Sequence, residues 1–138
     1  MRTHVEFASD AFPPYPGEEE RINPGRWGKR VAEFIVSKFP ERGIKIRRFY
    51  AEDWGWEIAV INEAFPIFVG CGNYGGRGSG ENGFLCFIDP HKPNIRRWLF
   101  RKVNTVRDVE RVADALDKVL RGHPEIREIR WWREDEVT

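Results

Sequence analysis

Phe65-Pro66-Ile67-Phe68-Val69-Gly70-Cys71-Gly72-Asn73-Tyr74-Gly75 begins the stretch that decides the fold, and Gly83-Phe84-Leu85-Cys86-Phe87-Ile88 ends it. Phe65 to Gly70 and Phe84 to Ile88 are apolar runs of strand length, and the segment between them holds six of the chain's thirteen glycines. Gly70, Gly72 and Gly75 have the spacing of a dinucleotide-binding turn, which works only when the amide end of a helix follows the strand and receives the pyrophosphate. Here Gly76 to Gly83 runs straight into a second apolar segment. The stretch therefore predicts a hairpin with a long glycine-rich tip and no cofactor. If the hairpin is symmetric about residues 78 and 79, Cys71 faces Cys86.

The flanking segments extend this pattern. Ile44 and Ile46, then Trp56, Ile58 and Val60, recur at every second residue and predict two strands. Asp53-Trp54-Gly55 joins them as a tight turn, Asp bonding its own following backbone and Gly accepting a positive φ. Residues 3 to 9 read as a first strand, followed by an irregular arm through Glu18 to Glu20. Asn23-Pro24 predicts a helix start, with Trp27, Val31, Phe34, Ile35 and Phe39 as its buried stripe and Pro40 and Gly43 as its end. Ile95 to Val103 is expected to form another strand. Thr105 is expected to cap a last helix in which Val109, Val112, Ala113, Leu116, Val119 and Leu120 repeat every three to four residues. Ile126 to Trp132 closes the chain as a strand in which Trp131 and Trp132 point to opposite faces. The expected architecture is α+β: a largely antiparallel sheet of five to seven strands with two helices packed on one face.

Length and composition set the outer bounds. At 138 residues, 41% hydrophobic and 33% charged, the chain reads as one globular domain spanning residues 1–138. The net charge of +1 lacks the global field of a protein held mainly by nucleic acid or an anionic membrane. Met1 to Asp10 does not look like a secretory signal, and no apolar run approaches the length of a membrane span. Two cysteines are too few for a disulfide scaffold, so a reduced cytoplasmic setting is expected.

Candidate chemistry is sparse. Cys71, between two glycines, reads as a thiol with little cover, and His91 near the end of the adjoining strand is the only imidazole to consider as its base. The commoner reading of Cys71 and Cys86 is a pair of small buried residues. Trp54, in a tight turn, is the better of Trp54 and Trp56 for a ligand or partner contact, both lying on the same side if the strand reaches that far. His4, His91 and His123 are scattered, so no metal is expected. Seven lysines and arginines between His91 and Arg111 read as a basic outer face over aromatic residues, not as a nucleic-acid stripe.

The segments Glu52-Asp53-Trp54-Gly55-Trp56, Gly70-Cys71-Gly72, Phe84-Leu85-Cys86-Phe87-Ile88 and Ile129-Arg130-Trp131-Trp132 together resemble a group of small bacterial proteins of unassigned function. The resemblance implies a bacterial cytoplasmic protein and supplies no catalytic residues. Many aromatics, mixed charge and no nucleophile–base–orienter set favour a non-catalytic domain that binds another protein, of which a toxin-neutralising, immunity-like partner is one form. The alternative is a small enzyme or ligand-binding protein with a pocket at the 70–83 tip. The candidate binding residues are Trp54, Cys71, Asn73, Tyr74, Arg77 and His91.

Overall fold

The computed structural model describes residues 1–63, 65–74, 82–90 and 102–133, the side chains of 102–105 apart. Strand β1 (Arg2–Ser9) is followed by a one-turn helix α1 (Glu18–Arg21), helix α2 (Lys29–Lys38) and a 3-10 turn (Phe39–Arg42). Strands β2 (Ile46–Glu52), β3 (Gly55–Val60), β4 (Ile67–Asn73) and β5 (Gly83–Pro90) come next, then helix α3 (Lys102–Arg121) and strand β6 (Ile126–Arg133). The six strands form one antiparallel sheet in the order β2-β3-β4-β5-β1-β6. The fold is therefore α+β with a fully antiparallel sheet. Among the described residues, no helix is long and apolar enough to cross a membrane.

Two hairpins build most of the sheet. β2 and β3 are joined by the two residues Asp53 and Trp54, with Glu52 opposite Gly55. β4 and β5 pair from Ile67 opposite Pro90 to Asn73 opposite Phe84, which puts Cys71 opposite Cys86, as the symmetry of the glycine-rich segment predicts. β1 then enters between β5 and β6, so the first strand of the chain is internal.

Alternation along the strands separates two sets of side chains. Val5, Phe7, Ile58, Val69, Cys71, Phe84 and Cys86 join one buried cluster with Val31, Ala32 and Ile35 of α2 and Val109, Val112, Leu116 and Leu120 of α3. The α3 stripe is the one read from its period. The other strand set, including His4, Glu6, Tyr50, Glu57, Leu85 and Phe87, lies outside that cluster.

Four local expectations are corrected. Asn23-Pro24 opens a turn and not a helix: Gly25 takes φ +76° and the Arg26 N–H donates to the Asn23 carbonyl at 3.0 Å. Asn23's side chain is used elsewhere, donating to the Asp53 carbonyl at 2.7 Å. The arm is not wholly irregular, because Glu18–Arg21 makes one helical turn. Helix α3 is already running at Lys102, so Thr105 lies within it and is not its cap. The last two residues of the strand expected over 95–103 are thus helical, and the rest of it lies outside the described residues.

What starts α2 is a carboxylate ten residues upstream. Gly28 occupies the cap position without a side chain, and Glu18 Oε2 accepts from the N–H groups of Gly28 (2.8 Å) and Lys29 (2.9 Å). These are unpaired amides of a helix N-terminus, where the helix dipole favours negative charge. The same oxygen accepts from Trp56 Nε1 at 3.0 Å, and Oε1 accepts from the Tyr15 N–H at 2.9 Å. Glu18 is only 5% exposed, and its four donors come from the arm, α2 and β3.

Gly28, Gly55 and Gly72 make this approach possible. A methyl group at Gly28 or at Gly55 would overlap the Cys71 carbonyl, and one at Gly72 would overlap the Trp54 carbonyl. Gly55 also has φ +154°, a region that L side chains rarely adopt. Gly55→Ala is therefore expected to cost at least about 2 kcal/mol in a urea melt, whereas Gly25→Ala, strained in φ but facing open space, costs about 1. Equal losses would show that contact with the Cys71 carbonyl does not govern the turn.

Candidate functional site

Among the described candidate residues, Trp54 alone lies on a half-exposed aromatic row. The Asp53–Trp54 turn lies at the end of the β2–β3 hairpin, and Gly55's backbone breaks the alternation there. Trp54 and Trp56 therefore do not share a side as the alternation suggests. Trp56 is 7% exposed, belongs to the core and donates to Glu18. Trp54 instead packs on Phe87, ring centroids 5.0 Å apart, and Phe87 stacks on His4 at 5.9 Å.

This row crosses the sheet because of one missing side chain. Phe87 lies opposite Gly70, and its ring fills the space where a Cβ of residue 70 would be. Phe87 thus leans across β4 toward Trp54. On its other side His4 is its register partner in β1, and Trp132 is His4's partner in β6. Trp54, Phe87, His4 and Trp132 are all half-buried. Trp131 and Trp132 do face opposite ways: Trp131 donates from Nε1 to Asp117 on α3 at 2.9 Å, while the Arg130 guanidinium lies 4.8 Å from the Trp132 ring centroid.

Charged and polar groups frame the row. Tyr50 donates to Glu57 Oε1 at 2.6 Å across the β2–β3 ladder. Burial first, then this hydrogen bond, pushes the Tyr50 hydroxyl pKa up to about 12. Glu6 faces Arg130 at 4.0 Å. Glu52 and Asp89 are exposed on the same strand set.

The other described candidate residues do not converge. Cys71 is 0% exposed, so the expectation of a lightly covered sulfur is corrected: its neighbours lack side chains, but it is covered by the core to which its strand face belongs. Tyr74 N–H donates to the Gly83 carbonyl (2.7 Å) and Asn73 N–H to the Trp27 carbonyl (2.9 Å). That alternation makes Cys71 and Cys86 a non-hydrogen-bonded pair, the type in which facing side chains come closest. A hydrogen bond with Cys86 and complete burial push the Cys71 thiol well above its ordinary range, which is the reverse of nucleophile activation.

Asn73 is a tether. Its Oδ1 accepts from the Trp27 N–H at 3.0 Å and its Nδ2 donates to the Gly25 carbonyl at 2.7 Å, fastening the turn before α2 to the end of β4. Tyr74 is half-buried beside it. Arg77 and His91 lie outside the described residues. Among the described residues, no group of three or more His, Cys, Asp or Glu could hold a metal.

The residues that sequence reasoning missed are Glu18, Phe87 and His4. Glu18 sits in an acidic run that suggests solvent exposure, and the row depends on β5 lying between β4 and β1. No family model matches this chain, and no curated protein or solved structure matches it significantly.

Both cysteines are expected to resist maleimide in the folded protein at neutral pH and to react fully once unfolded in guanidinium, as read by mass spectrometry. Rapid native modification of Cys71 alone would contradict its placement in the core.

Proposed function

We propose that this chain is a non-catalytic recognition domain that binds another protein through the sheet face carrying Trp54, Phe87 and His4. The observation that carries the reading is the half-exposed row itself, linked by ring contacts of 5.0 and 5.9 Å. The reading takes both long helices to cover the opposite face. Support comes from the core, which unites the buried stripes of α2 and α3 with a single alternating set of strand residues.

Aromatic rings present large contact area at little cost in conformational entropy, and they are enriched where partners bind. The surrounding Glu6, Glu52, Glu57 and Asp89, set against Arg48 and Arg130, suit a protein surface better than a phosphate backbone. A toxin-neutralising partner would use such a face. A bacterial, cytoplasmic setting fits the same reading. The alternative of an enzyme or small-ligand site at the 70–83 tip draws less support, since Cys71 is buried and Asn73's side chain is engaged with the backbone.

A photoreactive benzophenone amino acid at Leu85, between Glu6 and Gly72 in the sheet, tests this in the native host. The expected result is a discrete protein adduct that falls about tenfold with Trp54→Ala, as for a central aromatic contact. The same probe at Arg121, on α3, should give no such adduct. Equal adducts from both positions, or none from Leu85, would overturn the reading.

A further inference from the structure

Helix α3 carries its exposed charges in two rows. Glu110, Asp114 and Asp117 form an acidic row that the fold answers itself. Arg2 bonds Glu110 and Asp114, and Asp117 accepts from Arg121 and from the Trp131 indole, each at 2.9 Å. Arg2 holds Glu110 below the usual carboxylate range, although burial alone would raise it. Arg107, Arg111 and Lys118 form the second row. At about 100° and 1.5 Å per residue, they fall within roughly 40° of one another and extend over about 16 Å.

The segment packed beside this row is basic too. Lys38, Arg42 and Lys118 line one cleft of about 350 Å³, together with Phe34, Val119 and His123. On the other side of the 3-10 turn, Lys45, Arg107 and Arg111 line a second cleft of about 380 Å³, together with Ile61 and Asn62. The carboxylates of the two linings are Glu41, Glu63 and Asp108. Glu41 faces Lys38 at 3.9 Å, and Asp108 accepts from Asn62 and Arg107. Six cations against three carboxylates leave a surplus of three in one strip, where the whole chain carries +1.

Bringing like charges from two elements into shared clefts costs electrostatic free energy. Helix C-terminal dipoles account for Lys38 and Lys118, which sit in last turns, Arg111 donates to the Gly43 carbonyl and to Asn62 Oδ1 at 3.4 Å each, and Arg107 faces Asp108, but nothing of the kind accounts for Lys45. His123 adds a donor. Its Nδ1 accepts from the Glu125 N–H at 3.0 Å, so the neutral ring carries its proton on Nε2.

A second observation selects the kind of anion. Ile61, which lines the second cleft, is a large hydrophobic left 44% exposed. A phosphate backbone has nothing apolar to offer it, whereas an acidic peptide with aliphatic side chains does.

We propose that the clefts on either side of Gly43 form one docking strip for an acidic, partly apolar segment of a partner protein. Carboxylates of the segment meet Arg42 and Lys118 in one cleft and Arg107 and Arg111 in the other, and its aliphatic side chains cover Ile61. The strip rests on the foregoing reading only in taking the partner to be a protein. It lies apart from the Trp54 row.

The probe is a fluorescein-labelled Glu-Glu-Leu repeat of about ten residues, since an extended chain covers about 3.3 Å per residue. Titrated into the full chain and read by anisotropy, it should bind saturably and weaken as salt rises. Arg107→Glu with Lys118→Glu should raise Kd about tenfold or more, and Arg42→Glu alone should raise it about threefold, each in protein with unchanged circular dichroism. Arg121→Glu, in the other row, should leave Kd within about twofold. Absence of saturable binding overturns the proposal. So does equal binding of a Glu-Glu-Ser repeat, or tighter binding of a thymidine oligonucleotide of similar length. None of these results touches the Leu85 adduct, so the two readings fail separately.

Discussion

The carboxylate of Glu18 joins three parts of the chain at one point: the arm, the start of α2 and β3. One of its oxygens accepts from Gly28, Lys29 and the Trp56 indole, and the other accepts from Tyr15. Hydrogen bonds to charged groups are worth about 1.5–3 kcal/mol each, and a buried donor left unpaired costs about 1–3. Removing the carboxylate would orphan four donors at once, in the place where α2 begins and meets the sheet. The cap therefore does more than start a helix: it sets where α2 lies on β3 and returns the arm after β1 to the core.

That docking is tight enough to exclude side chains. Gly28 and Gly55, from segments on either side, approach the Cys71 carbonyl, and Gly72 approaches the carbonyl of Trp54. The Asp53–Trp54 turn is held from below by this contact and from the side by Asn23, so the Trp54 ring is free to reach across Gly70 to Phe87. The aromatic row is thus a consequence of backbone proximity around Cys71. Cys71 itself contributes packing, and its thiol is the least available group in the neighbourhood.

Strand identity, the hairpin register and the α3 stripe were legible because each rests on local periodicity. The pairing of Cys71 with Cys86 follows from a glycine-rich tip with apolar runs on both sides. Two features were illegible for one shared reason, distance along the chain. The α2 cap comes from ten residues upstream, so Asn23-Pro24 looks like the start although Gly25 interrupts it. The row from Trp54 to His4 requires β1 to lie beside β5, a strand order that no single segment encodes. Cys71 misled for a different reason: glycine neighbours suggest thin cover, while burial is decided by which face of the sheet the side chain takes.

Amide hydrogen exchange in the Glu18→Ala variant tests the clamp most directly, because Ala removes the acceptor of all four donors. The account predicts that the Gly28 and Lys29 amides and the Trp56 indole lose protection together, each by a factor of about a hundred or more, while the buried turns of α3 keep theirs. Protection retained at Gly28 and Lys29 in that variant would contradict it.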